Sequence, residues 1–436
     1  MQMAESYWIE TLGCPKNQVD SEKIAGFLAS DGMSLAVDPT EADLVVVNTC
    51  AFVESAREES IDTILSLTGR LKSGPSQLVV TGCLAERYGA ELEAELPEVD
   101  AVVGFGVPVT LGMKPASTGS VGRGSVSTKP AAQGKTTLPT MDLLNMARPA
   151  SELPWAYVKI AEGCDRKCGY CAIPQFRGPQ RSRTIQSICE EIAALGVREV
   201  VLVAQDLAAF GRDQGSKQIV QLVETVSSQV DWVRLLYLYP SDLTDELASA
   251  ICATEVPYFD LSLQHVSRSL LRRMRRWGDS EKFLARIADV RRHEPQAAFR
   301  SNFIVGYPGE TEHDHEQLLE FIEEAQLDWC AFFEFSPEEG TYAQTLDGQV
   351  PKELMADRLA ELRSAQETIS ENRRLKLIGQ QIEVLVDTSG VARSYREAPE
   401  IDGIISVPDD LAVGEFAQVE VVGAVGLDLE AKLQEV

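Results

Sequence analysis

The sequence predicts an α/β protein in three parts: an open α/β domain at the amino end, a partial (β/α) barrel in the middle and a small antiparallel β-barrel at the carboxyl end. Three observations carry this. Near the start, a strand, a cysteine and a helical pattern follow one another three times; between 155 and 335, six apolar strands alternate with helical stretches; after Leu377, short alternating stretches are separated by Gly, Pro and Asp. The boundaries are 4–112 for the first domain, 113–150 for a linker, 151–377 for the barrel and 378–436 for the last domain.

In the first domain the strands read at 7–11, 44–48 and 77–80, and helical patterns follow at 20–29, 53–67 and 85–92. Near-continuous Val and Leu runs mark buried parallel strands. Open sheets of this kind bind ligands beyond the carboxyl ends of their strands, where Cys14, Cys50 and Cys83 all lie. One cysteine after a strand is most often a small buried residue. Three at the same topological position favour a shared cluster.

From 111 to 149 no period is sustained, so this stretch reads as a linker, and its lysines and Arg123 make it the least acidic part of the chain. The strand at 155–160 then leads into Cys164-Asp165-Arg166-Lys167-Cys168-Gly169-Tyr170-Cys171. Ile185, Ile188, Ile192 and Leu195 share one helical face that Gly196 ends. Strands follow at 199–203, 233–238, 258–263, 299–305 and 329–335, with helices at 219–226, 243–251, 282–292 and 312–325. Barrels of this kind place their chemistry at the carboxyl ends of the strands, and polar or glycine-bearing clusters stand there at 204–206, 239–242, 264–265 and 306–310. A charged helical connector at 352–377 precedes strands at 381–387, 404–407 and 414–422.

Three thiols within eight residues leave one unpaired in any disulfide scheme, but suit a loop folded around a metal centre. A 4Fe–4S cluster takes four thiolates, so three supplied by the chain leave one iron open. Structural zinc prefers closed four-ligand sites, which neither trio supplies, and an electron carrier would not need so large a barrel. Cys189, Cys252 and Cys330 have no partnering spacing and read as core thiols, while His265 ends a strand at the barrel mouth. No apolar run is long enough to span a bilayer and the start lacks the profile of an export signal, so a cytoplasmic monomer is expected. The formal net charge of −27 opposes polyphosphate partners and favours a basic one. After Leu377 only Arg393, Arg396 and Lys432 are basic, against twelve acidic residues.

The Cys164–Cys171 loop, with Tyr170 before its last thiol, resembles the cluster motif of the radical S-adenosylmethionine superfamily. Together with the amino-terminal trio and the last small barrel, called TRAM, the chain is similar to the methylthiotransferase family. Its stretches TLGCPKNQVDSE, NTCAFVESAREESI, TGCLAERY, EGCDRKCGYCAIPQFRG, VAQDLAAFG, FIVGYPGET and APEIDG resemble the ribosomal-protein (RimO) branch. That branch modifies the β-carbon of an aspartate in the twelfth small-subunit ribosomal protein. The alternative is the sister branch that modifies adenosine in tRNA. Cys14-Pro15-Lys16-Asn17 and the acidic terminal barrel favour the first, making tRNA an unlikely partner and a basic ribosomal protein, free or within the ribosome, the expected one.

The resemblance implies two 4Fe–4S clusters, ligated by Cys14, Cys50 and Cys83 and by Cys164, Cys168 and Cys171, with an external electron donor. It also implies S-adenosylmethionine in two roles, radical source and methyl donor. Tyr170, Gln205, Gln264, Arg300, Gly306 and Glu310 are the expected contacts to it. One departure from the family pattern is Ser262, where Pro is usual.

Overall fold

The computed structural model describes residues 5–71, 74, 76–113 and 141–433, and the chain divides into two compact units, Met1–Pro149 and Ala150–Val436. In the first unit the elements are β1 (Ser6–Thr11), α1 (Pro15–Ser30), β2 (Ser34–Leu35), β3 (Leu44–Thr49), α2 (Glu54–Leu71), β4 (Gln77–Gly82), α3 (Cys83–Glu95) and β5 (Ala101–Val102). They build a five-stranded parallel sheet in the order β2-β1-β3-β4-β5. Every residue of β3 is buried, because Val46 packs with Ile24 and Leu28 of α1 on one face while Val45 and Val47 pack with Ile64 and Leu67 of α2 on the other. Pro15 opens α1, where a missing amide costs nothing, and this leaves Cys14 as the N-cap at the end of β1.

Residues 114–140 of the expected linker lie outside the described residues. Its end, 141–149, packs on the first unit: Met141 and Leu144 are buried, and Lys23 Nζ donates to the Leu144 carbonyl at 2.9 Å.

The second unit begins with β6 (Trp155–Lys159), β7 (Ala161–Glu162), α4 (Ile173–Phe176), β8 (Arg181–Ser182) and α5 (Ile185–Leu195). It continues with β9 (Glu199–Val203), α6 (Ile219–Ser227), β10 (Trp232–Leu235), α7 (Asp245–Cys252), β11 (Tyr258–Gln264) and α8 (Arg268–Arg273). Then come α9 (Ser280–His293), β12 (Ala298–Val305), α10 (Glu312–Ala325), β13 (Trp329–Glu334) and α11 (Lys352–Leu375). Strands β6, β9 and β10 form one parallel sheet and β11, β12 and β13 another, joined by a parallel bridge between Leu238 and Leu261. Among the described residues β6 and β13 do not pair, so the barrel is partial. Its outer face, including Val200, Leu202, Phe259 and Phe303, packs with Ile188, Leu222, Ile287 and Leu318 of the surrounding helices. The Ser262 amide donates to the Leu238 carbonyl at 2.9 Å, a bond that Pro could not make.

The remaining strands, β14 (Gln381–Thr388), β15 (Val391–Arg393), β16 (Ile405–Ser406), β17 (Phe416–Val425) and β18 (Asp428–Leu433), close into a barrel in the order β14-β15-β16-β18-β17. Residues 394–404, between β15 and β16, press on the amino-terminal halves of the larger barrel's strands. Tyr157 Oη donates to the Pro399 carbonyl at 2.9 Å, Tyr258 Oη to Asp402 at 2.6 Å, and Trp329 Nε1 to the Arg396 carbonyl at 2.7 Å. Arg393 of β15 pairs with Glu199 at the start of β9 at 2.8 Å. That end of the barrel is therefore filled, and the carboxyl ends carry the cysteine loop. No helix among the described residues is long and apolar enough to cross a membrane.

Candidate functional site

The short β7–β8 ladder closes the neck of the cysteine loop, pairing Glu162 with Arg181. Gly163, with φ of 80°, turns the chain so close to Pro179 that a Cβ would stand 2.2 Å from its carbonyl oxygen. Arg166 then ties the loop to the next strands. Its Nε and Nη2 reach both oxygens of Asp206 after β9, at 2.6 and 3.1 Å, Nη2 also bonds Asp242 after β10, and the guanidinium lies 3.5 Å over the Tyr239 ring. On the other side the Gly169 amide donates to the Met274 carbonyl at 2.8 Å, and the Ala343 amide to the Gly169 carbonyl at 2.7 Å. The loop is thus held by segments following β9, β10, β11 and β13.

Burial, reinforced by the neighbouring thiols, pushes the Cys164 thiol up to about 11 and that of Cys171 to about 12. Thiolates form here when a metal centre supplies compensating positive charge. No three His, Cys, Asp or Glu side chains among the described residues are gathered tightly enough for a single ion. A cube of four irons is larger than an ion and takes its thiolates farther apart, so the donor set fits a cluster better than a lone cation.

Tyr170 packs against the barrel core, and its hydroxyl accepts a hydrogen bond from Arg276 Nη1 at 3.3 Å. The same nitrogen lies 3.4 Å from Cys168 Sγ, and the guanidinium stacks 4.2 Å over Tyr239. In the sequence Arg276 belongs to the arginine-rich run at 270–276, which reads as a solvated face or, in so acidic a chain, the best place for an RNA contact, and not as a partner of the cysteine loop. Gln205 donates to Glu162 at 2.7 Å, and its Oε1 is buried without a partner among the described residues. Burial would raise the Glu162 carboxyl, but Arg177 and Lys159 outweigh it and hold the group down at about 2. Gln264 ends β11 with φ of 71°, after a shift in strand register, and its side chain has no hydrogen-bond partner among the described residues.

Arg300 stands elsewhere than at the barrel mouth, and Glu310, in the turn after β12, has its carboxylate engaged by the chain itself. Arg300 is the third residue of β12 and pairs with Asp260 and Asp402, both at 3.3 Å, at the filled end of the barrel. Glu310 accepts the Gly306 amide at 2.5 Å and pairs with Arg358 of α11 at 2.9 Å, while Met355 of α11 packs against Gly306. The Glu310–Arg358 pair and the Gly306–Met355 contact hold the turn after β12 against α11. His265 is fully buried; its Nδ1 accepts the Ser267 amide at 3.0 Å, and burial lowers its pKa to about 4.

In the first unit Cys14 caps α1, Cys50 follows β3 and Cys83 opens α3, all at one edge of the sheet. Gly13, with φ of 94°, brings the β1–α1 turn against Cys50; a Cβ there would stand 2.7 Å from the Cys50 Cβ. Asn17 clasps the strand ends, donating to the carbonyls of Leu12 at 2.9 Å and Thr49 at 3.0 Å and accepting from Cys83 Sγ at 3.7 Å. This gathers three thiols on one edge, the same donor count as the loop of the second unit. Cys189 and Cys252 lie in helices and Cys330 in β13.

Residues 6–104 match the uncharacterized protein family UPF0004, residues 158–322 the radical SAM superfamily and residues 378–433 the TRAM domain. The ribosomal protein uS12 methylthiotransferase RimO of Moorella thermoacetica is 43% identical, covering 92% of this chain and 92% of its own. That of Nocardioides sp. is 39% identical over 97% of this chain and 96% of its own. Among solved structures, the radical S-adenosylmethionine methyltransferase TsrM from Kitasatospora setae covers 84% of this chain and 89% of its own, with a TM-score of 0.49 and 11% identity. Identity near 40% that runs through all three parts reflects inheritance of the whole architecture, and the chain belongs to the RimO family of radical SAM methylthiotransferases.

Proposed function

We propose that the chain adds a methylthio group to the β-carbon of an aspartate in ribosomal protein uS12, free or ribosome-bound, in the cytoplasm. It would do so with a 4Fe–4S cluster at each cysteine trio and S-adenosylmethionine as radical source and methyl donor. The observation that carries this reading is the pair of three-thiol sets, one at the sheet edge of the first unit and one on the loop of the second, in a chain similar along its length to methylthiotransferases.

Cys164, Cys168 and Cys171 would hold three irons of one cluster and leave the fourth for the amino and carboxylate groups of S-adenosylmethionine. When bound, that cluster supplies the electron that cleaves the sulfonium bond. Around it the protein positions and encloses: Arg166 and Arg276 fix the loop, while Gln205 Oε1 and Gln264 are polar groups left available to a cofactor. Cys14, Cys50 and Cys83 would hold the second cluster and the sulfur to be transferred. The terminal barrel suits a basic substrate. Arg393 and Arg396 are buried in ion pairs, so Lys432, 3.8 Å from Glu420, is the one exposed cation of 378–433 among the described residues, while Glu383, Asp409, Asp410, Glu415, Asp428 and Glu430 are exposed.

The test is anaerobic reconstitution with iron and sulfide, then incubation with dithionite, S-adenosylmethionine and either a uS12 loop peptide or a tRNA anticodon stem-loop. The peptide is expected to gain a methylthio group in place of hydrogen. Methylthiolated adenosine with unmodified peptide would move the chain to the tRNA branch, and stoichiometric zinc without iron would remove the radical reading. Cys14→Ala is expected to cleave S-adenosylmethionine as the parent does but to yield no methylthiolated peptide.

A further inference from the structure

We propose that the arginine face formed by Arg268, Arg272, Arg273 and Arg275 with Trp277 is the docking surface for an acidic one-electron carrier protein that reduces the cluster at Cys164, Cys168 and Cys171. The inference rests on the radical reading of that loop and adds the route by which its electron arrives.

Proximity is the first argument. The segment from α8 to Trp277 forms the outer cover of the loop: Met274 accepts the Gly169 amide at 2.8 Å, and Arg276 reaches Cys168 Sγ at 3.4 Å. Its outward side is solvent-facing, with Arg268, Arg272, Arg273 and Arg275 exposed and Trp277 45% exposed. Electron tunnelling weakens steeply with distance. Here one hydrogen bond separates the covering backbone from the residue next to Cys168.

Charge is the second. The chain has 67 acidic against 40 basic residues, yet none of these four arginines pairs with a carboxylate among the described residues. Arg273 donates instead to the Asp347 carbonyl at 3.2 Å, and Arg275 lies 3.9 Å over the Tyr342 ring. Asp279 stands near Arg268 without neutralising the rest of the face. A strongly acidic carrier is repelled by the molecule at large and attracted here, which orients it before contact. A basic substrate is disfavoured at the same place. Trp277, with Lys282 Nζ 5.5 Å from its ring centre, supplies the aromatic anchor that interfaces use.

The electron accounting is simple. The carrier loses one electron, the cluster gains one, and no bond or proton is exchanged at this face. Arg276, on the inner side beside Cys168, places a cation where the added negative charge arrives.

The test uses the reconstituted full chain and its Arg272→Glu/Arg275→Glu double variant, with 5′-deoxyadenosine formation as readout. Reduction is by dithionite, which needs no docking, or by reduced flavodoxin, an acidic flavin protein. With flavodoxin at low salt the variant is expected to be slower by about tenfold or more, and salt should bring the parent towards it. With dithionite the two should be equal. Equal rates with flavodoxin would overturn the proposal, and so would equal losses with both reductants, which would mark the face as structural. Loss of ribosomal RNA binding by the variant, with flavodoxin-driven cleavage intact, would assign the face to RNA and also overturn it. Failure to modify a uS12 peptide with either reductant would count against the proposed substrate while leaving this comparison readable.

Discussion

One guanidinium fixes the radical-forming loop at the residue scale. Arg166 lies between the first and second thiols, grips Asp206 with two parallel bonds and reaches Asp242, and both carboxylates are largely buried. Removing it leaves Asp206 a buried anion without its partner, while Asp242 keeps Lys217 at 2.5 Å, and breaking such a buried pair costs about 3–5 kcal/mol. Arg166→Ala is therefore expected to lose the second-unit cluster and keep the first, so iron per reconstituted chain falls by about half and 5′-deoxyadenosine formation is lost. Lysine cannot make the planar fork, and Arg166→Lys should not restore the iron. Unchanged iron in Arg166→Ala would show that the thiols hold the loop alone. The six clustered cysteines were readable in the sequence because cysteine is rare and their placement after strands is regular. Arg276 and Arg358 were not, because their partners Cys168 and Glu310 lie 108 and 48 residues away, a relation that only the barrel's closure creates.

At the scale of elements, the β15–β16 connection acts as the floor of the larger barrel. Its Asp402 takes the Tyr258 hydroxyl and stands beside Arg300, with the side chain 1% exposed. Burial raises its pKa to about 6, against the opposing pull of Arg300 and the Tyr258 bond. Because the folded pKa exceeds the unfolded value of about 3.9, the native state binds the extra proton between them. Stability from this group therefore falls as pH rises from about 4 to about 6 and is level above, a change of about 2–3 kcal/mol from two pH units at 1.36 kcal/mol each. Asp402→Asn cannot ionise. Its stability relative to the parent, from urea unfolding, should improve between about pH 4 and about pH 6 and stay level above, and a constant difference would refute the buried ionisation. The strands themselves were readable as apolar runs, and the partial barrel followed from their alternation with helices. Which end of a strand a residue occupies was not: Arg300 reads as a mouth residue within 299–305, but pairing with Trp329, the first residue of β13, places it at the floor. Glu310 misleads for a related reason, since a polar residue just past a strand can face the covering helix instead of the cavity.

For the whole molecule, three family matches correspond to only two compact units. The small terminal barrel is built into the second unit through Arg393 and Glu199, Tyr258 and Asp402, and Trp329 and the Arg396 carbonyl. Ending the chain near Leu377 would uncover Tyr157, Arg234, Tyr258 and Trp329 and leave Glu199 and Arg300 short of partners, so such a deletion tests folding and says little about substrate binding. The division at Pro149–Ala150 is different, because each side keeps its own core and its own cysteine trio. A fragment of residues 150–436 is expected to reconstitute about four irons and cleave S-adenosylmethionine with dithionite, yet leave the uS12 peptide unmodified. Iron content, 5′-deoxyadenosine and peptide mass are the three measurements. A fragment that folds but binds no iron would mean that the first unit helps to form the second unit's cluster. If the fragment behaves as expected, the contribution of the acidic surface can be measured by replacing Asp409, Asp410, Glu415 and Glu430 with their amides in the full chain. Peptide KM should then rise and lose its salt dependence while kcat is retained, because these carboxylates lie on the outer barrel and leave the floor contacts intact.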